Sequence, residues 1–321
     1  MPKVRKLPTG GRKKEPAKKI VLILSRKKSL YSTRRLVQAA KKQGHRPVVL
    51  DTLHCSMVLE RDNPMVYYGD FPVPPPDVVI PRIGASITGY GLSVVNQFDM
   101  MGVPVLNNSV PIARSRDKLR CLQLLSRFGL DIPKTIMAHQ RTNVQRLVDQ
   151  IGGLPAIVKL IQGTQGVGVM IATTMDEIVR LLNTFWDLEQ EILMQEFIKE
   201  SEGKDVRALV VGDRVVAAMR RQAKKGEFRS NIHRGGEGTP ITLPREYAET
   251  AVKAARIIGL EVAGVDMLES KRGPMIMEVN SSPGFEGIEG ATGLDVAGEI
   301  VAHALQFATA HQAGFSKKRI I

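Results

Sequence analysis

Cysteine is nearly absent: Cys55 and Cys121 are the only two in 321 residues. Two thiols cannot build a metal cluster by themselves, and such sparse use fits a reducing compartment, so a cytoplasmic location is expected. Neither Cys121 nor Cys55, even with His54 beside it, has the arrangement of a nucleophile and its base, so both are read as structural. No run of about eighteen apolar residues occurs, so no membrane-spanning helix is expected. The basic N-terminus lacks an apolar stretch, so no secretory signal is expected either. No G-x-G-x-x-G follows the first apolar run, where Ser25-Arg26-Lys27-Lys28 stands instead. That argues against a dinucleotide binder. No internal repeat is visible. The rest is ordinary: 43% hydrophobic and 24% charged residues, in a length that suggests two or three domains with their own cores.

Charge is what the chain has in excess, at +14. Residues 1–19 carry eight Lys or Arg against Glu15 alone, which is half of that surplus. With Pro2, Pro8, Pro16 and Gly10-Gly11 and little that is apolar, this tail is expected to be disordered. It reads equally well as an electrostatic tether to an acidic partner such as RNA and as a solvated extension.

Beyond the tail, Ile20-Val-Leu-Ile-Leu24 reads as a buried parallel strand. An amphipathic helix over 31–43 ends at Gly44. Strands over 48–50, 78–80 and 103–106 and a helix near 87–101 complete a small doubly wound α/β domain. Next comes a helix with Ser115 as its N-cap and Leu119, Leu122, Leu125 and Phe128 on one face. Lys118 in its first turn opposes the helix dipole unless an anion is nearby. Strands over 156–161, 168–172, 192–197, 205–211, 214–219, 262–268 and 275–280 follow, with helices near 174–186, 244–258 and 293–311. That mixture predicts α+β lobes with antiparallel sheets.

Three constellations carry chemistry. Lys159 interrupts the apolar strand Ala156–Ile161, and an inward lysine must meet an anion or shift its pKa. Gly163, Gly166 and Gly168 follow it and join two strands, which excludes both the Rossmann and the Walker A loops. A glycine loop of this kind can fold its amides over phosphates. The second constellation is a hairpin over 262–280. With a loop of 271–273, Ser270 pairs with Pro274, Leu268 with Ile276, and Asp266 with Glu278. Asn280 then shares their face. Opposed carboxylates repel unless a cation lies between them, and this oxygen set suits Mg²⁺ or Mn²⁺. Both acids are expected among apolar neighbours. The third is a basic stretch, Arg220 to Gly236, whose arginines suit an acidic, carboxylate-bearing substrate.

The order Lys159, glycine loop, Gln195-Glu196-Phe197-Ile198, Asp205-Val-Arg207, Arg229-Ser-Asn231, Asp266 and Glu278-Val-Asn280-Ser-Ser-Pro283-Gly284 resembles the ATP-grasp ligases. The blocks Pro81-Arg-Ile-Gly84, Ala113-Arg-Ser-Arg-Asp117-Lys-Leu-Arg120, Phe228 to Gly236 and Gly287-Ile-Glu289 resemble the RimK family within them. Members of that family add glutamate to the C-terminus of a ribosomal protein. The resemblance covers about residues 19–311; the basic tail departs from it.

The resemblance implies a fold of α/β plus α+β type, a doubly wound pre-ATP-grasp domain followed by a two-lobed ATP-grasp domain. The expected division is a tail over 1–18, a pre-ATP-grasp domain over 19–113, a first lobe over 114–190, a second over 191–312 and a C-terminal tail over 313–321. It implies that Lys118 and Lys159 contact the phosphates of ATP and that the loop of Gly163, Gly166 and Gly168 closes over them. Glu196 and Phe197 would hold the adenine, and Asp205 the ribose. Arg229, Ser230 and Asn231 would bind nucleotide, with Arg229 and Asn231 at the reacting end. Asp266, Glu278 and Asn280 would hold two Mg²⁺ or Mn²⁺ ions, and Arg220 and Arg234 an acidic substrate. It implies a cytoplasmic homotetramer and an acyl-phosphate route to an amide with ADP and phosphate released. Two other readings stay open. One is a ligase joining another amino acid to a carrier protein or small acidic acceptor. The other is an RNA- or ribosome-binding protein with a regulatory nucleotide site, favoured by the tail.

Overall fold

The computed structural model describes residues 17–138, 143–160, 168–224 and 236–318. The chain opens with β1 (Ile20–Ser25), α1 (Tyr31–Lys42), β2 (Arg46–Leu50), β3 (Cys55–Val58), β4 (Met65–Tyr68), β5 (Phe71–Pro72), β6 (Val78–Arg82) and α2 (Thr88–Met100). β1 is apolar along its length because both its faces are covered. It sits between β2 and β6 in parallel register. The fourth strand expected over 103–106 is reduced to one bridge, Val79 to Val105. β3, β4 and β5 form a separate antiparallel sheet that the sequence did not announce. Strands of two to four residues leave too little alternation to detect.

Two helices stand where one was expected: α3 (Ser109–Arg116) and α4 (Lys118–Arg127). Ser115 is not a cap. It lies inside α3, with its hydroxyl donating to the Ile112 carbonyl at 3.0 Å. Asp117 caps α4 instead, accepting from the Arg120 amide at 2.9 Å. An Asp oxygen reaching the third amide of a helix is the stronger cap, and it leaves Lys118 as the first helical residue. Leu122 and Leu125 are buried as expected, but Phe128 is 54% exposed and Cys121 takes its place inside.

A four-stranded antiparallel sheet, ordered β7-β10-β8-β9, comes from β7 (Thr135–Ala138), β8 (Ala156–Leu160), β9 (Val169–Ala172) and β10 (Ile192–Glu196). α5 (Val144–Ile151) and α6 (Met175–Asp187) cover one of its faces. Ala156 and Val158 point into that helical core, so the strand's period of two turns Lys159 to the other face.

The second lobe holds β11 (Lys204–Val211), β12 (Arg214–Gln222), β13 (Glu237–Pro240), α7 (Arg245–Ile258), β14 (Val262–Ser270), β15 (Gly273–Asn280), α8 (Glu286–Thr292) and α9 (Val296–Lys318). Its sheet runs β13-β12-β11-β14-β15. Val206, Ala208, Val210, Val265 and Met267 pack against α4 and α7. On the opposite face Leu209, Val211, Ala217 and Val262 pack beneath α8 and α9. The same core takes in Val21 and Ile23 of β1 and Leu36 of α1. α9 therefore belongs to the first domain and to the second lobe at once. Asn107 pins the two together. Its amide donates to the carbonyls of Val262 (2.8 Å) and Ser281 (3.0 Å) and accepts from the amides of Glu261 (2.8 Å) and Val262 (3.0 Å). Among the described residues no helix is long and apolar enough to cross a membrane.

Candidate active site

The β14–β15 hairpin brings Asp266 opposite Glu278, as expected, but by a different register. Gly273 pairs with Ser270 at φ +93, a left-handed conformation that favours glycine, so the loop is Lys271-Arg272 alone. Leu268 then faces Met275 and not Ile276. A bulge between Ile276 and Glu278 inserts one residue and restores the pairing. The two acids differ in burial. Asp266 is 2% exposed, whereas Glu278 is exposed, contrary to the expectation that both sit among apolar neighbours. Gly264 lies opposite Asn280, and a Cβ there would meet Pro283 at 2.8 Å, so its lack of a side chain lets the 281–284 loop rest on the sheet.

On the face of β11 where Leu209 and Val211 are covered by α9, the next residues along are Arg207 and Asp205. The face thus changes from apolar to charged at the edge of the helix. Arg207 grips Asp266 with two hydrogen bonds, at 2.7 and 2.6 Å. Arg221 reaches the same carboxylate at 3.0 Å and holds both oxygens of Asp205, at 2.5 and 2.8 Å. Burial alone would raise the Asp266 pKa, but the two guanidiniums overcome it and hold the carboxyl below the usual carboxylate range. Asp266 is thereby a fixed anion.

Glu278 is placed differently. Among the described residues it has no hydrogen-bond or ion-pair partner, yet its charge is felt by Arg116, Lys118 and Lys159. These cations come from three separate elements. Lys118 reaches from the first turn of α4 toward the Leu160 carbonyl, at 3.4 Å. Burial pushes the Lys159 ammonium from its ordinary 10.5 down to about 8, with Glu278 opposing the shift and Lys118 assisting it. Burial likewise lowers Lys118 and Arg116, again opposed by Glu278. Arg82 is brought down to about 10 by burial and by the Arg116 charge. The site is a desolvated ring of cations around one open carboxylate, a place prepared for a polyanion. Neither polar atom of the Asn280 amide has a hydrogen bond among the described residues, and its Nδ2 is buried.

Other expected site residues are placed as follows. Glu196 ends β10 beside the second lobe. Its carboxylate is tied to Arg272 of the hairpin loop at 2.7 and 2.8 Å, and its amide donates to the Lys134 carbonyl. Phe197 follows at the same junction, half-buried. Gly168 precedes β9, its carbonyl accepting from the Leu160 amide at 2.9 Å. Arg220 requires a correction. It lies opposite Val206, whose side chain enters the α4–α7 core, so it is on the wrong face of the sheet from Asp266. There it pairs with Glu269 at 3.0 and 2.6 Å. Its neighbour Arg221 is the one that faces the site. Gly163, Gly166, Arg229, Ser230, Asn231 and Arg234 lie outside the described residues. Sequence reasoning gave no role to Arg82, Arg116 or Arg207, and reached Arg221 only as a member of the basic stretch. The signal available for Arg82 was a charged residue closing an apolar strand, as for Lys159.

A four-stranded and a five-stranded antiparallel sheet facing a cationic cleft, behind an α/β domain, define an ATP-grasp architecture. The chain matches the family described as RimK-like ATP-grasp domain over residues 115–304 and that described as RimK PreATP-grasp domain over 19–112. A probable alpha-L-glutamate ligase of Vibrio parahaemolyticus is 54% identical over 280 residues, covering 87% of this chain and 93% of that one. Another from Pseudomonas aeruginosa is 52% identical over 283 residues, covering 88% and 94%. Among solved structures, the ATP-grasp ligase PsnB complexed with minimal precursor, Mg and ADP superposes with a TM-score of 0.72 at 20% identity, covering 90% and 97%. The D-alanine–D-alanine ligase of Bacillus anthracis complexed with ATP gives 0.64 at 18% identity, covering 93% and 100%. The chain belongs to the RimK-like ATP-grasp family, and its chemistry is that of an ATP-dependent ligase.

Proposed function

We propose that this protein is an ADP-forming ligase that joins glutamate to the C-terminal carboxylate of a protein, with a ribosomal protein as the acceptor. The observation that carries the reading is the ring of Lys118, Lys159 and Arg116 around Glu278. The names of the curated relatives supply the glutamate. Lys118 and Lys159 bind the phosphates of ATP, and Glu196 and Phe197 take the adenine at the junction of the lobes. Asp205 supports Arg221 from below; its contact with ribose rests on the family resemblance.

The oxygen donors fit a divalent cation. Glu278 and the Asn280 amide are hard ligands without partners among the described residues, and Asp266 is held anionic beside them. Glu278, Asn280 and Asp266 would hold Mg²⁺ or Mn²⁺, two ions by the family pattern, which would supply charge neutralisation to the phosphate oxygens. The chain's own part is to orient and to exclude water. A carboxylate oxygen of the acceptor attacks the γ-phosphorus as its bond to the bridging oxygen breaks, and ADP leaves with that electron pair. The α-amine of glutamate then attacks the acyl carbon, loses a proton and expels phosphate. No protein nucleophile is required, in keeping with a Cys121 thiol that burial pushes up to about 12.

Intact-mass spectrometry of ribosomal proteins incubated with enzyme, ATP, Mg²⁺ and glutamate tests this. A series of glutamyl additions on one protein is expected. ADP production with no mass change would move the search to another amino acid or acceptor, and no ADP at all would remove the ligase reading.

The Lys159 ammonium yields a pH prediction. Its charged form is the one that binds phosphate, so binding raises its pKa above the free value of about 8. At pH 8 the protein should therefore take up roughly half a proton per ATP, and affinity should fall as pH rises further. Calorimetry in buffers of different ionisation enthalpy reads this uptake. An uptake that persists in Lys159→Met would show that another group is responsible.

A further inference from the structure

Three arginines that face inward are matched with carboxylates, and two others are not. Arg207 and Arg221 share Asp266, Arg221 also holds Asp205, and Arg35 holds Glu289. Arg82, which closes β6, and Arg116, which closes α3, break the pattern. Their charges are near enough to repel, and among the described residues neither has an ion-pair partner. Two adjacent desolvated cations are costly and call for an anion.

Each guanidinium is instead anchored through one nitrogen. Nη2 of Arg82 donates to the carbonyls of Pro283 (2.7 Å) and Ser282 (3.4 Å), and the group lies 5.6 Å from the centre of the Phe285 ring. Nη2 of Arg116 donates to the Ile83 carbonyl. Carbonyls fix the two forks without neutralising them. Nε and Nη1 of both arginines have no hydrogen-bond partner among the described residues, and Nε of Arg116 is wholly buried. The Ser282 hydroxyl, on the loop that Arg82 holds, is also buried without a partner. Paired guanidinium forks match the planar, bidentate geometry of a carboxylate, and the Ser282 hydroxyl lies on the loop that one of them holds.

Their position gives the carboxylate its role. Arg116 interacts with Glu278 at the edge of the phosphate site, and Arg82 interacts with Arg116. The open donors therefore sit beside the place where the γ-phosphate is proposed to lie, at the end of β6 and the end of α3. We propose that Arg82, Arg116 and the Ser282 hydroxyl form the receptor for the carboxylate to be activated, the C-terminal α-carboxylate of a peptide acceptor. The identity of that carboxylate as an acceptor rests on the ligase reading; the anion site itself does not.

The test uses α-L-Glu-L-Glu and its C-terminal amide, titrated by calorimetry into the full chain loaded with ADP and Mg²⁺. The wild type should bind the free acid about 10- to 100-fold more tightly than the amide, the worth of a charge-assisted bidentate contact. Arg116→Gln and Arg82→Lys should each lose most of that preference, and Arg82→Lys, outside the cation group around Glu278, should change ADP affinity less than about threefold. Arg116→Lys keeps the charge but not the fork; it should fold and still lose preference, which separates recognition from stability. Equal binding of acid and amide by the wild type overturns the proposal. So does a preference that survives all three variants, or a loss of ADP affinity in place of the loss of preference, which would assign the arginines to the nucleotide. Ligation assays on the same samples keep the two ideas apart. A wild type that does not ligate but loses acid preference on substitution discards the reaction and keeps the site. One that ligates, with preference unmoved by substitution, does the reverse.

Discussion

Exchanging Glu278 for Gln is expected to lower kcat for ADP formation by roughly 10²- to 10³-fold, the scale of removing one preorganised charge from a reacting centre. The chain remains folded, because Glu278 has no hydrogen-bond or ion-pair partner to lose among the described residues. Its absence instead leaves Arg116, Lys118 and Lys159 without the one negative charge that opposes their desolvation. The Lys159 pKa should therefore fall further below about 8, and the pH at which nucleotide affinity declines should fall with it. Steady-state kinetics with a pH titration of ADP binding measure both effects. Full activity in Glu278→Gln would remove this carboxylate from the site. A fall in kcat without any move in the pH midpoint would show that Glu278 and Lys159 are not coupled.

The largest effect on stability is expected at Asn107, which joins backbone to backbone and carries no charge itself. Its side-chain amide uses two donors and two acceptor positions, all on backbone groups of 261, 262 and 281, and it is 3% exposed. Asn107→Ala would orphan four buried backbone groups at once. At about 1 kcal/mol or more for each, the loss should be roughly 3–5 kcal/mol, allowing for partial rescue by water. A small cavity beside Asn107, lined also by Arg82 and Ser281 and about 10 Å³ in volume, has room for no more than one water. Denaturant unfolding monitored by circular dichroism gives the number. A loss under about 1 kcal/mol would mean that the two domains are held by the α9 core alone.

Much of the site could be read from the order of residues. Lys159 within Ala156–Leu160 and the paired acids of the hairpin were visible because a strand alternates faces with a fixed period and an ionisable group among apolar neighbours demands a partner. The opposition of Asp266 to Glu278 was nonetheless reached through a register that the structure replaces. A shorter loop moved every pair by one residue, and the bulge moved the last ones back. Arg220 and Arg221 show the limit of such reasoning. Adjacent residues on a strand point to opposite faces, and composition cannot say which face is the site. Only the pairing of Arg221 with Asp205 across β11 decides it.

By itself, then, the sequence determined the elements whose causes are local. These include the apolar run of β1, the helix that stops before Gly44, the long strands of the second lobe and the residue types that suit phosphate and a hard cation. The order of its short motifs also determined the family. The tertiary structure alone decided what is brought together across distance. It placed α9 in a core shared by the first domain and the second lobe, and it ran Asn107 into the start of β14. It also set Arg82 of the first domain beside Arg116, and Arg116 within reach of the charge of Glu278 on the last hairpin. The physical reason is the same in each case. A residue's secondary structure follows from its near neighbours, but its burial and its electrostatic partners come from segments as much as 260 residues away, and these are fixed only when the chain has packed.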